Sequence, residues 1–461
     1  MKTYDIVVIG GGPGGYVAAI KAAQLNASVA LIEADRIGGV CLNYGCIPTK
    51  TLLRSAKLYQ DMLHAATFGI SLETGNGISV DWQQLMARKS SVVDKIVGGV
   101  EQLLRFNKVD VYKGIAAIVD EKTVSVGSET LKLKDLIIAT GSSPQYPKIE
   151  GLQHALEAGI IIDSTRAISL ETHPKSMIIL GGGVIAVEFA TLFNSLGTEV
   201  TLLQRSDQIL KNQDGDVKAL IQRHLSESGV KIKTGVAIER IDGHRVYYKD
   251  SQGDHEVTGD YILASLGRTP NLKGLEALPL KLSRKGIDVN ARMQTNLPNV
   301  YAIGDVCGGM MLAHVASAQG IVAVENIMGK TSEMNYRQIP SCIYSFPEVG
   351  AIGYTEEEAR AAGFDIGTSS FPLSANGKAM AEGETVGFVK IIHEKQYGEV
   401  IGVHIVASHA TDMIAEAAAT MALEGTVYDL AKTVHPHPTL SEIVMEAAHG
   451  AVDKPIHLIK K

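Results

Sequence analysis

The chain carries the same glycine-rich turn twice, and that repeat narrows its fold more than any other feature. Tyr4 to Ile9 reads as a buried parallel strand running into Gly10-Gly11-Gly12-Pro13-Gly14-Gly15. An alanine-rich helix to about Asn26 follows, then a second strand, Ser28 to Ile32, that ends at Glu33. This is a βαβ dinucleotide-binding pattern. Gly10 permits the tight turn, Gly12 lets a pyrophosphate approach the backbone, Gly15 lets helix meet strand, and Glu33 is placed to accept from ribose hydroxyls. A glycine turn alone is weak evidence; with strand, helix and terminal acid in place it is strong. The pattern returns at Met177 to Leu180, with Gly181-Gly182-Gly183-Val184-Ile185-Ala186, a helix containing Glu188, and a partner strand, Glu199 to Leu203, ending at Gln204. Gly10 to Glu33 and Gly181 to Gln204 have the same offset, and Ala186 is an allowed replacement for the third glycine. Two such modules imply two dinucleotides.

Between them lies Gly38-Gly39-Val40-Cys41-Leu42-Asn43-Tyr44-Gly45-Cys46-Ile47-Pro48-Thr49-Lys50, which holds two of only four cysteines. An undistorted helix would keep these Cα atoms farther apart than a relaxed disulfide prefers, so bridging them needs a bent turn and gives a bond that is easier to reduce. The glycines and Pro48 permit the bend. A redox-active dithiol is the functional reading. Two buried free thiols, or half of a metal site, are the alternatives, although no His or Cys follows at ligand spacing and no metal is expected. Cys307 and Cys342 have no matching partner nearby and read as core residues.

Ample hydrophobic content (45%), few aromatics (5%) and 47 glycines fit an α/β protein with many strand–helix turns. A net charge of −7 and the lack of a Lys/Arg run argue against a nucleic-acid surface. The apolar run Ile6 to Ile9 is too short for a membrane span or a signal sequence, so a cytoplasmic location without membrane contact is expected.

Further along, helices are expected over Lys50 to Phe68 and Gln83 to Phe106, with short strands and turns over Val109 to Lys134. Ile137 to Pro144, containing Thr140 and Gly141, reads as a strand ending in a tight turn that crosses between domains. Tyr261 to Leu266 leads into Gly267-Arg268-Thr269-Pro270-Asn271, and Val300 to Asp305 is a strand capped by an acid. From about Asn335, alternating segments such as Gly387 to His393 and Val400 to Val406 suggest an antiparallel sheet. A helix over Asp412 to Leu423 follows. The tail His435-Pro436-His437-Pro438-Thr439-Leu440-Ser441-Glu442 opens a last helix, with Thr439 or Ser441 as candidate caps.

Two dinucleotides beside a dithiol suggest electrons moving between a nicotinamide, a flavin and a sulfur pair, which gives the first module a reason to hold FAD. Lys50 and Glu188 could pair beside the flavin, or form a surface or inter-domain salt bridge. His437 is a suitable base for thiol chemistry with Glu442 to orient it; otherwise it is a capping or surface histidine.

The Gly38 to Lys50 segment, Val300 to Asp305 and the His435 to Glu442 tail resemble the flavoprotein disulfide reductases, in order and over essentially the full chain. Pro13 to Ala19 and the tail are similar to the branch that oxidises dihydrolipoamide on the lipoyl domains of 2-oxo acid dehydrogenase complexes. The resemblance implies FAD, NAD and a homodimer with shared active sites. By matching motif, Cys41 would exchange with substrate, Cys46 would be the charge-transfer thiol against the flavin, and Lys50 and Glu188 would pair near it. Asp305 would bind the ribitol, and His437 with Glu442 would form the acid/base pair, contributed by the other subunit. Thr140, Gly141 and Gly267 join Gly10, Gly12, Gly15, Glu33, Lys50, Gly181, Gly183, Ala186, Gln204, Arg205 and Asp305 as expected cofactor-binding positions.

The expected organisation is α/β: two Rossmann-like dinucleotide-binding domains plus a C-terminal α+β dimerisation domain with an antiparallel sheet. Residues 1–145 and 273–334 would bind FAD, 146–272 NAD(P), and 335–461 would form the interface. A sibling reductase acting on glutathione with NADP is the alternative. A mercuric reductase is disfavoured because the tail Leu458-Ile459-Lys460-Lys461 lacks a cysteine pair. At Gln204 the sequence departs from the NAD-preferring members, which usually carry an acid there. Arg205 and Lys211 follow, and Ala186 resembles the NADP-dependent glutathione reductases, so NADP is a possible second nucleotide.

Overall fold

The computed structural model describes residues 2–71, 77–283 and 285–459; the terminal Lys460 and Lys461 lie outside them. Strand Lys2–Ile9 sits at the centre of the first sheet. Its neighbours are Val29–Glu33 on one side and Glu129–Ile138 on the other, all parallel, with Asp110–Lys113 beyond Val29–Glu33. Ile6 to Ile9 are almost wholly buried because helices cover the sheet, which is why the strand is an unbroken apolar run. The edge of Glu129–Ile138 that faces away from Lys2–Ile9 serves two partners. Its first half pairs antiparallel with Thr123–Val126, and its last residues take Val300–Ala302, some 160 residues on, as a parallel neighbour.

The second sheet repeats the logic: Lys231–Lys233, Glu199–Leu203, Ser176–Leu180, Tyr261–Ala264 and Ile161–Ile162, all parallel. The chain passes between the two sheets twice. Ser142–Pro144 and Arg268–Pro270 pair antiparallel at that crossing, and Thr140 and Asn271 exchange hydrogen bonds of 2.8 and 3.0 Å.

In the first module, helix Pro13–Gln24 crosses helix Ala313–Ile327 on small residues. A Cβ at Gly320 would stand 2.7 Å from the Gly14 carbonyl oxygen, so the backbones touch only because neither position carries a side chain.

The C-terminal sheet is antiparallel throughout, in the order Ser341–Ile343, Glu348–Gly353, Val400–Ala407, Phe388–Glu394, Ile366–Pro372. The alternation expected of a half-exposed sheet is not what Phe388–Glu394 and Val400–Ala407 show. Every residue of Val400–Ala407 is buried. The face bearing Lys390 and His404 packs on the second module, where Lys390 Nζ lies 2.9 Å from Asp214 and 2.8 Å from Asp216; Glu356 of the C-terminal region completes its surroundings at 2.8 Å.

One expected helix shifts, and one expected cap is not made by a side chain. The helix placed at Lys50 to Phe68 starts at Cys46 and ends at Leu63, and Ala65–Phe68 winds tighter as a 3₁₀ turn. The last helix, Glu442–Val452, has Ser441 at its N-cap, but neither Ser441 nor Thr439 caps with its side chain. Instead the Thr439 N–H donates to the Glu442 carboxylate at 2.9 Å, and the Thr439 hydroxyl turns back to the Pro436 carbonyl. Ser441 already has helical dihedrals, and that geometry aims its hydroxyl away from the free N–H groups.

Candidate active site

The glycines of the first turn divide into two kinds. Gly10 has φ +105°, and a Cβ there would lie 2.2 Å from the Ala139 carbonyl oxygen; a Cβ at Gly15 would lie 1.8 Å from that of Gly10. These two positions must be glycine for strand, turn and helix to touch. At Gly12 a Cβ would meet nothing within 4 Å. Open space therefore lies over the N-terminus of helix Pro13–Gln24, which no side chain caps. Free N–H groups and the positive end of the helix dipole facing such a space suit a pyrophosphate. Glu33 closes the turn, accepting from the Gly11 N–H at 2.6 Å and the Asp35 N–H at 2.8 Å. A carboxylate has lone-pair capacity left for a ribose diol.

The second turn matches. Gly181 has φ +108° and would clash with the Ser265 carbonyl, whereas Gly183 faces open space over the uncapped helix Val184–Ser195. Ala186 is fully buried at the place of Gly15. Gln204 packs against Gly182 as Glu33 packs against Gly11. Arg205 is exposed. Both sites fit a dinucleotide.

The cysteine segment is folded against the first turn: a Cβ at Gly39, which has φ +55°, would lie 2.7 Å from the Gly12 Cα. Cys41 belongs to a short helix, Gly39–Tyr44, that breaks at Gly45 (φ −138°, ψ −102°), and Cys46 is the first residue of helix Cys46–Leu63. Pro48 falls in the first turn of that helix, where its missing N–H would have had no partner. The break brings the two sulfurs into hydrogen-bonding contact as free thiols. The hydrogen bond from Cys41 and the positive charge of Lys50 hold the Cys46 thiol below its ordinary value against the effect of burial. The same hydrogen bond, with burial, drives Cys41 up. Both shifts run in the direction that favours a thiolate on Cys46 over one on Cys41.

Lys50 and Glu188 do pair, at 2.9 and 3.0 Å, and the pair is not a surface bridge: the Glu188 side chain is 6% exposed. It joins three parts of the molecule. Glu188 also accepts from the Tyr344 N–H at 3.1 Å, and the Lys50 ammonium lies 4.4 Å from the centre of the Tyr344 ring. Tyr344, at the entrance to the C-terminal sheet, was invisible to local sequence reading.

Asp305 lies in the first turn of a 3₁₀ helix, Gly304–Cys307, directly after Val300–Ala302. It accepts from the Ser142 hydroxyl at 2.5 Å, and Arg268 donates to both the hydroxyl and the carbonyl of Ser142 at 2.7 Å. Thr140 and Gly141 bond to Asn271, and the Gly267 carbonyl accepts from Gln145, so these positions knit the crossing together. Within Gly267 to Asn271, where Gly267 is the expected cofactor-binding position, Arg268 and Asn271 make the side-chain contacts.

His437 Nδ1 lies 2.9 Å from Glu442, with the histidine side chain 77% exposed. Partial burial works against the Glu442 charge, but hydrogen bonds from the Thr439 N–H and His437 prevail and hold its carboxyl below the usual range. Among the described residues no hydrogen bond or ion pair links this pair to Cys41 or Cys46 of the same chain. His435, not singled out from sequence, is buried against Glu416 at 2.7 Å and accordingly favours its charged form. Cys307 and Cys342 are half-buried, and burial pushes both thiols up, Cys307 to about 12 and Cys342 to about 11.

Residues 4–320 match the family model described as pyridine nucleotide-disulphide oxidoreductase, and residues 339–448 match that family's dimerisation domain. The chain is 42% identical to a dihydrolipoyl dehydrogenase of Mycoplasma pneumoniae, over 97% of its own length and 98% of that protein's. It is 41% identical to one of Geobacillus stearothermophilus, over 99% and 98%. Among solved structures it is similar to LpdA from Mycobacterium tuberculosis, with TM-score 0.88 and 27% identity over 98% of this chain and 99% of that one. It is also similar to the copper(II) complex of the flavoprotein disulfide reductase RclA from Escherichia coli, with TM-score 0.86 and 26% identity over 97% and 99%. Matched from one end to the other, the chain belongs to the pyridine nucleotide-disulphide oxidoreductases, a family that uses FAD and NAD.

Proposed function

We propose that this protein is a dihydrolipoyl dehydrogenase: it oxidises dihydrolipoamide carried on a lipoyl domain to lipoamide and passes the electrons to NAD⁺. The observation that carries the reading is a dithiol folded against the first glycine turn, with Cys46 one helical turn ahead of the Lys50 of the buried Lys50–Glu188 pair. Full-length relatives of that activity support it. FAD, when bound, supplies the two-electron relay between the dithiol and the nicotinamide.

The chain's own residues account for the sulfur chemistry. In the oxidised enzyme Cys41 and Cys46 form a disulfide. A lipoyl thiolate attacks Cys41 Sγ, the enzyme's S–S bond breaks, and Cys46 leaves as the thiolate that its surroundings favour. The second lipoyl thiol then attacks the mixed disulfide, lipoamide leaves with its ring closed, and Cys41 recovers a proton. The lipoyl thiols lose two electrons and the dithiol gains them. His437, oriented by Glu442, takes the proton from the attacking thiol. Its exposure, and the lack of any hydrogen bond or ion pair to its own dithiol among the described residues, suit delivery to a second copy's Cys41, so each site would be shared across a homodimer built on the dimerisation domain, within a 2-oxo acid dehydrogenase complex. Residues 1–145 and 273–334 would hold FAD, 146–272 the nicotinamide, and 335–461 the interface. Gly10, Gly12, Gly15, Glu33 and Asp305 would bind FAD, and Gly181, Gly183, Ala186 and Gln204 the nicotinamide nucleotide.

Assaying the purified protein with dihydrolipoamide and NAD⁺, and in parallel with oxidised glutathione or mercuric ion and a reduced nicotinamide, separates the reading from its siblings. Turnover confined to dihydrolipoamide is expected. Faster turnover of glutathione disulfide would replace it with the sibling reductase.

A further inference from the structure

We propose that Tyr344 is a positioning residue for the dithiol: its ring holds the Lys50 ammonium one helical turn from Cys46, so that the C-terminal domain helps to set the charge on that thiol. The inference rests on Cys46 being the thiol that faces the flavin. Cys46 and Lys50 are four residues apart in helix Cys46–Leu63 and therefore share a face. A lysine stem is flexible, and Lys50 is only half-buried. Its pair with Glu188 does not by itself keep the ammonium from swinging toward solvent.

Tyr344 supplies the further constraint. It follows strand Ser341–Ile343, which pairs in register with Glu348–Gly353, and it packs with Phe346 on the core of the second module. Its N–H donates to Glu188 at 3.1 Å, which fixes the backbone, and its ring centre then stands 4.4 Å from Lys50 Nζ, within cation–π range. Burial pushes the phenol up to about 12, so the ring stays neutral. The groups next to Tyr344 are engaged elsewhere. Cys342, a thiol that burial keeps protonated, donates from Sγ to the Thr411 carbonyl at 3.9 Å. Glu348 accepts from the Thr411 N–H and hydroxyl at 3.1 and 2.7 Å, with His409 and Asp412 facing it in turn. Around Cys46 itself, Cys41 and Lys50 hold the thiol down, and Glu188 pushes it up. Glu188 is buried and bonded to both Lys50 and the Tyr344 N–H, so Lys50 is the member of the pair whose position can vary.

The test is spectroscopic and needs neither turnover nor nicotinamide. The FAD-loaded protein is reduced with one equivalent of dithionite, and its long-wavelength thiolate–flavin band is titrated with pH in the unsubstituted protein, Tyr344→Phe and Tyr344→Leu. Both variants keep the backbone N–H that binds Glu188. Tyr344→Phe keeps a ring beside the ammonium and should keep the midpoint. Tyr344→Leu should move the midpoint upward by about 0.5–1 in pH, a loss of thiolate of about three- to tenfold at a given pH. Tyr344→Met, an unbranched and ringless side chain, carries the same prediction should the leucine variant fail to fold with its flavin. An unmoved midpoint in Tyr344→Leu or Tyr344→Met, or an equal shift in Tyr344→Phe, would overturn the role of the ring. Absence of the band from the unsubstituted protein would instead remove the flavin-facing assignment of Cys46, and this inference with it.

Discussion

At the scale of single residues, the chemistry turns on which sulfur carries charge. Cys46 is held below the ordinary thiol range by Cys41 and Lys50, and Cys41 is held above it. Cys46→Ser should therefore keep its flavin but lose the long-wavelength absorption that develops on two-electron reduction, while Cys41→Ser should show such a band without any reductant. A spectrum in which Cys46→Ser retains the band would reverse the two roles. His437→Gln should lower turnover by roughly 10²–10⁴-fold with the melting temperature unchanged, since its exposed ring holds nothing else in place. The glycines, both cysteines and His437 were legible because each has a local reason to be where it is. The meaning of Lys50 and Glu188 was not. They lie 138 residues apart in the chain, and only the fold shows that their pair is buried and shared with Tyr344.

At the scale of elements, close backbone contact sets the helix positions that the site depends on. Alanine in mid-helix is worth about 1 kcal/mol over glycine, and overpacking costs about 1–3 kcal/mol. Gly320→Ala, meeting the Gly14 carbonyl at 2.7 Å, should thus come out destabilised. Gly99→Ala, in helix Trp82–Phe106 with nothing within 4 Å of the new Cβ, should be stabilised instead. Urea midpoints that shift in the same direction for both would show that the helix crossing is not the constraint. Strands and helices were legible to within a few residues because hydrophobic period and glycine punctuation are local. Ser441 stands at the N-cap as expected, but its side chain does not cap, since which group satisfies a helix end depends on dihedrals that residue type does not fix. The buried outer face of Val400–Ala407 was missed for a related reason: what covers a sheet is a property of another domain.

At the scale of the whole molecule, Lys390 fastens the second module to the C-terminal sheet through Asp214, which is buried and also caps helix Gly215–Glu227. Removing the cation by Lys390→Met strands buried charge, at a cost of about 3–5 kcal/mol in unfolding free energy. Burial opposes the Asp214 charge, but the Lys390 hydrogen bond prevails and depresses its carboxyl. The stabilisation is therefore present above the ordinary carboxylate range and is lost as pH falls through the folded-state value. In Lys390→Met the deficit should be largest near neutrality and narrow on acidification, as the stranded carboxylates protonate; a pH-independent deficit would locate the loss in packing instead. The central claim concerns the dithiol itself. Mixing the oxidised protein anaerobically with dihydrolipoamide, while following long-wavelength absorbance and alkylating the product, tests it most directly. The account predicts that the band appears together with new alkylation at Cys41 and Cys46, and that NAD⁺ added before the alkylating reagent abolishes both. Dihydrolipoamide that leaves the two cysteines oxidised would contradict it.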